Sequence, residues 1–240
     1  MTTVLLVRHG RTAANAAAVL AGWTPGVELD ETGHRQAQAL ADRLRSVPLA
    51  AVVSSPLDRC LQTAAAIAAE RADGAPGPVE VDERLGEAHY GEWTGRELKK
   101  LSKDPLWKVV QQHPSAAVFP GHDGEGLAQA QARAVAAVRD WNTRLGPDAV
   151  WLACSHADVI KAVVADALGL HLDMFQRIVV DPCSLTVIRY TTTRPFVVRL
   201  NDNGGGVGDL VPPKRRRRRR PTGGAGDSDA VVGGGVGGAG

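Results

Sequence analysis

The 240-residue chain holds only three cysteines, Cys60, Cys154 and Cys183, widely spaced and without a C-x-x-C pair. That pattern excludes a disulfide framework and a cysteine-based zinc site, and it points to reduced thiols in a cytoplasmic protein. No cationic start followed by a long apolar run is present, so no secretory signal is read at the N-terminus. No apolar run approaches the roughly 20 residues that a membrane-spanning helix needs. Internal repeats are lacking as well. The single basic run, Arg215 to Arg220, has no aromatic residue between its arginines. It suits weak, non-specific contact with polyanions, without the stacking that reads bases.

What is present is the composition of a globular protein, 44% hydrophobic and 22% charged. The formal net charge of +2 is unevenly placed, because residues 1–200 carry 21 cations and 22 acids. The basic balance therefore belongs to the C-terminal part. From residue 203 to 240 the composition falls to glycine, proline and arginine, with almost nothing to bury. That stretch is read as a disordered tail, and residues 1–202 as the folded domain.

Within residues 1–202, short apolar runs alternate with amphipathic helical segments. Strands are expected at Val4–Val7, Ala50–Val53, Val79–Val81, Ala149–Cys154, Leu185–Tyr190 and Phe196–Leu200. Helices are expected from about Asp30 to Arg45, Leu57 to Ala69, Leu127 to Arg144 and Ala157 to Leu168. Residues 90–126 are broken by prolines and glycines and read as a cap inserted over the sheet, with two short helical pieces. The alternation predicts an α/β sandwich with a mostly parallel sheet.

Two of the strands run straight into a histidine. Val4–Val7 leads to Arg8-His9-Gly10, and Ala149–Cys154 leads to Ser155-His156. A third ends at Ser54-Ser55-Pro56, with Arg59 in the first turn of the helix beyond. Ligands of open α/β sheets bind at the carboxyl ends of the strands. Arg8, His9, Arg59 and His156 converging there form a cradle for a phosphate or another oxyanion. Arg11, Thr12 and Asn15 follow His9 closely enough to reach a substrate, and His89 and His122 lie in the cap region. His34, His113 and His171 read as surface residues.

Four segments resemble, in order, the motifs of the histidine phosphatase superfamily, branch 1, to which the cofactor-dependent phosphoglycerate mutases belong. Leu6-Val-Arg-His-Gly10 is similar to the nucleophile motif, and Ser54-Ser-Pro-Leu-Asp-Arg-Cys-Leu-Gln-Thr-Ala64 to the second arginine motif. Leu85-Gly-Glu87 followed by Gly91-Glu-Trp-Thr-Gly95 resembles the acid motif, and Ser155-His156 the second histidine. The resemblance implies a phosphoglycerate mutase-like three-layer α/β/α sandwich with a mixed, mostly parallel sheet. It implies that His9 becomes phosphorylated, that Arg8, Arg59 and His156 hold the phosphoryl oxygens, and that Glu87 moves the proton. Arg11, Thr12, Asn15, Gly22 and His122 are the implied substrate contacts. No cofactor and no metal are expected, and a homodimer is the assembly the resemblance suggests.

Some positions depart from the family pattern. Arg11 stands where an acid or its amide is commoner, and Ala157 replaces a glycine. Pro120-Gly-His-Asp-Gly-Glu-Gly126 matches the family's glycine-glutamate-serine turn only in part. The cap lacks the tryptophan and paired arginines that the mutases carry, since Trp107 is followed by Lys108 and Val109. The expectation is therefore a phosphatase of a small phosphorylated metabolite. A phosphomutase is the alternative, and a catalytically silent phospho-ligand or protein-binding module is the alternative of another class.

Overall fold

The computed structural model describes residues 1–69, 77–205 and Gly233. The chain opens with β1 (Thr2–Arg8), followed by a single helical turn, α1 (Ala13–Ala16), and by α2 (Glu31–Leu44). Asp30 caps α2 by accepting the amide of Gly33 at 2.8 Å, the role expected of an N-terminal aspartate. Then come β2 (Val52–Ser54), α3 (Asp58–Ala69) and the two-residue strand β3 (Glu80–Val81). The cap holds α4 (Leu98–Leu101) and α5 (Pro105–Gln112), the two short helices foreseen there. The second half runs α6 (Leu127–Leu145), β4 (Val150–Ser155), α7 (Ala157–Ala167), β5 (Leu185–Tyr190) and β6 (Pro195–Asp202).

The six strands form one sheet in the order β3-β2-β4-β1-β5-β6. The first four are mutually parallel, whereas β5 runs antiparallel to both β1 and β6. The sheet is thus mixed and mostly parallel. Alternation along β1 assigns its two faces, as the period of two requires. Val4 and Leu6 pack with α6, α7 and the cap, while Leu5 and Val7 pack with α2 and α3. Three layers result. Burying each of these four side chains contributes roughly 1.5–3 kcal/mol before the entropy of ordering is set against it. A charge at Leu6, 1% exposed between sheet and helices, would dismantle the central strand.

Some elements were not foreseen. α1 and the short 3₁₀ turns at Glu83–Leu85, Gly91–Trp93, Pro114–Ala116 and Leu172–Arg177 are too brief to show a period. Asn203 and Gly204 continue from β6, held by hydrogen bonds to Asp181 (3.0 Å) and Asp202 (2.9 Å). Of the rest of the expected tail only Gly205 and Gly233 are among the described residues, and Arg215–Arg220 lie outside them. Among the described residues, no helix is long and apolar enough to cross a membrane.

Candidate active site

The parallel strands bring their carboxyl ends together in register. Arg8 pairs with Ser155 across β1 and β4, and Ser54 with Cys154 across β2 and β4. The next residues, His9, His156 and Ser55, therefore meet. The amide of His9 donates to the Ser155 carbonyl (3.0 Å) and that of Ser55 to the Cys154 carbonyl (2.9 Å). Past His9 the chain needs glycine. A Cβ on Gly10 would stand 2.7 Å from the Gly33 carbonyl oxygen, where the first turn of α2 crosses beneath. The Gly10 amide donates to Thr63 Oγ1 (3.0 Å), which itself donates to the Arg59 carbonyl (2.7 Å). The nucleophile loop is tied in this way to the helix that carries Arg59.

The bond from His9 Nδ1 to the Gly10 carbonyl (2.7 Å) settles the ring's tautomer. A carbonyl only accepts, so Nδ1 carries the hydrogen and Nε2 keeps its lone pair. Burial, with the charges of Arg59 and Arg8 beside it, holds the His9 pKa well below the usual imidazole range. The ring is neutral and nucleophilic at ordinary pH. His156, 5.3 Å away between ring centroids, is fully buried. Arg59 Nη2 donates to its Nδ1 (3.4 Å), so Nε2 carries the hydrogen and donates to Ser55 Oγ (2.8 Å). Its pKa is likewise held low by burial and by Arg59. A phosphate dianion arriving between the arginines would offset those charges and restore its affinity for a proton.

Arg8 and Arg59 are buried and aimed by backbone carbonyls, Arg8 Nη1 by Val180 (2.8 Å) and Arg59 Nη2 by Gly22 (2.8 Å). Gly22 thus belongs to the site as the residue that orients Arg59. Glu87, 4% exposed, places Oε2 3.8 Å from His156 Nδ1. Burial, then the negative charge of Asp158, push its pKa up to about 7 against the opposing pull of Arg59 and Arg8. A carboxyl that is half protonated near neutrality can both give and take a proton. Two buried cations, two neutral imidazoles and one tunable carboxyl can attack a phosphorus, hold its oxygens and protonate a leaving group.

The structure brings Arg8, His9, Arg59, Glu87 and His156 together. The remaining expected contacts are placed differently. Arg11 turns back to Asp30 (2.8 Å) and Thr32 (3.0 Å), bracing the start of α2. Thr12 and Asn15 bond each other in the cap of α1. His122 is fully exposed and pairs with Asp123 (2.8 Å) on the rim of a cleft of about 990 Å³. His89 stacks on Trp23 in that cleft, ring centroids 4.4 Å apart. His34, His113 and His171 are exposed, as expected.

Other residues of the site escaped the sequence reading. Tyr90 donates its hydroxyl to Asp158 (3.0 Å), and Lys161 reaches the other Asp158 oxygen (3.3 Å). Trp23 Nε1 donates to the Glu87 carbonyl (2.7 Å). Gly233 donates its amide to Asp158 (2.9 Å), and its carbonyl accepts from Arg8 Nη2 (3.5 Å). Asp158 and Lys161 did leave a signal, as charges one helical turn apart among the buried apolar residues of α7.

Comparison with known proteins agrees with this geometry. Residues 4–203 match the histidine phosphatase superfamily (branch 1). The chain is 30% identical over 177 residues to a glucosyl-3-phosphoglycerate phosphatase of Mycolicibacterium vanbaalenii, covering 71% of this chain and 76% of that protein. It is also 30% identical over 193 residues to a probable phosphoglycerate mutase of Photorhabdus laumondii, covering 79% and 86%. Among solved structures, YhfR of Bacillus stearothermophilus superposes with a TM-score of 0.75 at 29% identity, over 84% of this chain and 98% of that one.

Proposed function

The chain belongs to branch 1 of the histidine phosphatase superfamily, and we propose accordingly that it hydrolyses a small phosphomonoester through a phosphohistidine at His9. The observation that carries this reading is the pairing of a neutral His9, its Nε2 lone pair free to attack, with a buried Glu87 whose pKa is pushed up to about 7. In the first step His9 Nε2 bonds to phosphorus and the ester P–O bond breaks. The leaving oxygen takes the proton of Glu87. In the second step Glu87 takes a proton from water, whose oxygen attacks phosphorus and releases His9. Arg8, Arg59 and His156 face the three equatorial oxygens, where charge accumulates and where most of the rate enhancement lies.

Phosphatase is favoured over mutase by the cleft beside the acid. Glu92 and Asp123 line it beside Glu125, whose charge is already paired with Arg133, and among the described residues no lysine or arginine lines it. A mutase working on phosphoglycerate needs a cation there to hold the second anionic end of its substrate. A cleft of this sign suits a leaving group without a carboxylate. Three free, buried thiols support the further reading of a cytoplasmic enzyme.

The test is phosphate release from a panel of phosphomonoesters by wild type and His9→Ala in parallel. The panel includes 3-phosphoglycerate with and without its bisphosphate. Release that the substitution abolishes is the expected result. Bisphosphate-dependent isomerisation with little release would assign a mutase instead. No turnover of any ester by wild type would assign a binding module.

A further inference from the structure

Arg133, midway along α6, uses all five of its guanidinium hydrogens. Nη1 donates to the carbonyls of Arg84 (2.7 Å) and Gly86 (2.8 Å), and Nη2 to the carbonyl of Glu87 (2.9 Å). Nη2 also donates to Glu125 Oε2 (2.9 Å) and Nε to Glu125 Oε1 (2.7 Å), a bidentate pair. Five donors meet five acceptors, which no other side chain could supply. Glu125 Oε2 in turn accepts the amide of His89 (3.2 Å), and Ser155 Oγ donates to the Leu85 carbonyl (2.6 Å). Every carbonyl from Arg84 to Glu87 is thus held, three of them by one residue.

This clamp surrounds the acid without touching its carboxyl. Glu87 Oε1 accepts the amide of the adjacent Ala88 (3.0 Å), while Oε2 stands 3.8 Å from His156. The Tyr90 hydroxyl also reaches the Glu87 carboxyl, so its direction is set jointly by that phenol and by the backbone that carries the acid. Both members of the Arg133–Glu125 pair are mostly buried, with side chains 20% and 12% exposed, so their geometry is not averaged by solvent.

We propose that Arg133, locked by Glu125, is a positioning residue for Glu87, fixing the 84–89 backbone so that the acid's carboxyl faces the leaving oxygen. The inference rests on Glu87 being the proton donor. It gives the 120–126 turn a role different from substrate contact, since Glu125 braces the acid loop. Misplacing a catalytic group by about 1 Å can cost a hundredfold in rate. That loss falls on the two steps in which Glu87 moves a proton, and kcat/KM reads the first of them.

The experiment compares kcat/KM on two esters in the full-length protein. One is the best alkyl monoester from the panel, whose poor leaving group needs protonation. The other is p-nitrophenyl phosphate, whose leaving group departs as an anion. Glu87→Gln sets the scale, with a loss of about 100-fold or more expected on the alkyl ester and a far smaller one on the aryl ester. Arg133→Lys and Glu125→Gln are each expected to lose about tenfold on the alkyl ester and to keep most of the aryl activity. The aryl activity also reports that the variants are folded. Equal losses on both esters, or no loss on either, would overturn the proposal. Should Arg133→Lys fail to fold, Glu125→Gln decides by the same ratio. If Glu87→Gln shows no dependence on the leaving group, the reading of Glu87 fails first and takes this inference with it.

Discussion

The phenol of Tyr90 and the carboxylate of Asp158 are joined by a 3.0 Å hydrogen bond, and both side chains are buried. The fixed negative charge of Asp158 is, after burial itself, the largest cause of the raised Glu87 pKa. Asp158→Asn removes that charge and leaves the hydrogen-bonding shape. In the proposed mechanism Glu87 acts as an acid in the first step, so kcat/KM declines as pH rises through its pKa of about 7. The substitution is expected to move that declining limb to lower pH. A pH profile of kcat/KM on an alkyl ester checks it, and an unmoved limb would remove Asp158 from the account.

The same pKa has a consequence for stability. Glu87 binds its proton more tightly folded, with a pKa of about 7, than unfolded, near 4.5. The stabilisation is therefore complete below about pH 4.5 and is lost as pH rises towards 7, a change on the order of 3 kcal/mol. Glu87→Gln lacks this dependence. Its Tm is expected to exceed that of wild type at pH 8, with the advantage vanishing near pH 4.5. Parallel melts across that range measure the difference.

Gly86 lies flush against Trp23. A Cβ at this position would overlap Cζ2 of the indole and stand 2.8 Å from Cη2. Because Trp23 Nε1 also donates to the Glu87 carbonyl, Gly86→Ala forces the ring and the acid loop apart. Overpacking of this kind costs about 1–3 kcal/mol. Urea unfolding is expected to show that loss, accompanied by a drop in turnover of alkyl esters larger than the drop for aryl esters.

The acidic cleft makes a prediction about specificity. Glu92 is exposed on its wall, and Glu92→Lys reverses one charge there. The ratio of kcat/KM for 3-phosphoglycerate to that for glycerol 3-phosphate is expected to rise about threefold, the scale of an exposed charge pair. An unchanged ratio would place the leaving group elsewhere.

The sheet and the phosphate cradle were legible because each rests on a local pattern with a long-range consequence. A β-rich apolar run ending in histidine can be recognised without knowing its neighbours, and parallel strands then bring such ends together. Arg59 was legible for the same reason, at the start of a helix that follows a strand. Arg133 left no such mark. An arginine within an amphipathic helix is commonplace, and three of its five acceptors are carbonyls of Arg84, Gly86 and Glu87, some 46–49 residues away in the chain. Arg11 shows the opposite failure. Its closeness to His9 in sequence suggested the substrate, but Asp30 and Thr32 claim it from a distance that the linear chain hides. The two short helices within residues 90–126 were read, while the cleft wall formed by residues 89–94 and 121–125 was not.

For the phosphohistidine proposed at His9, the 2.7 Å bond between Nδ1 and the Gly10 carbonyl also fixes the regiochemistry. With one ring nitrogen committed to the main chain, phosphorus can bond only to the other. Of the two isomers that a phosphorylated imidazole can form, this fold permits the 3-phospho form alone. Reagents that tell the two isomers apart should therefore see a single species on the working enzyme.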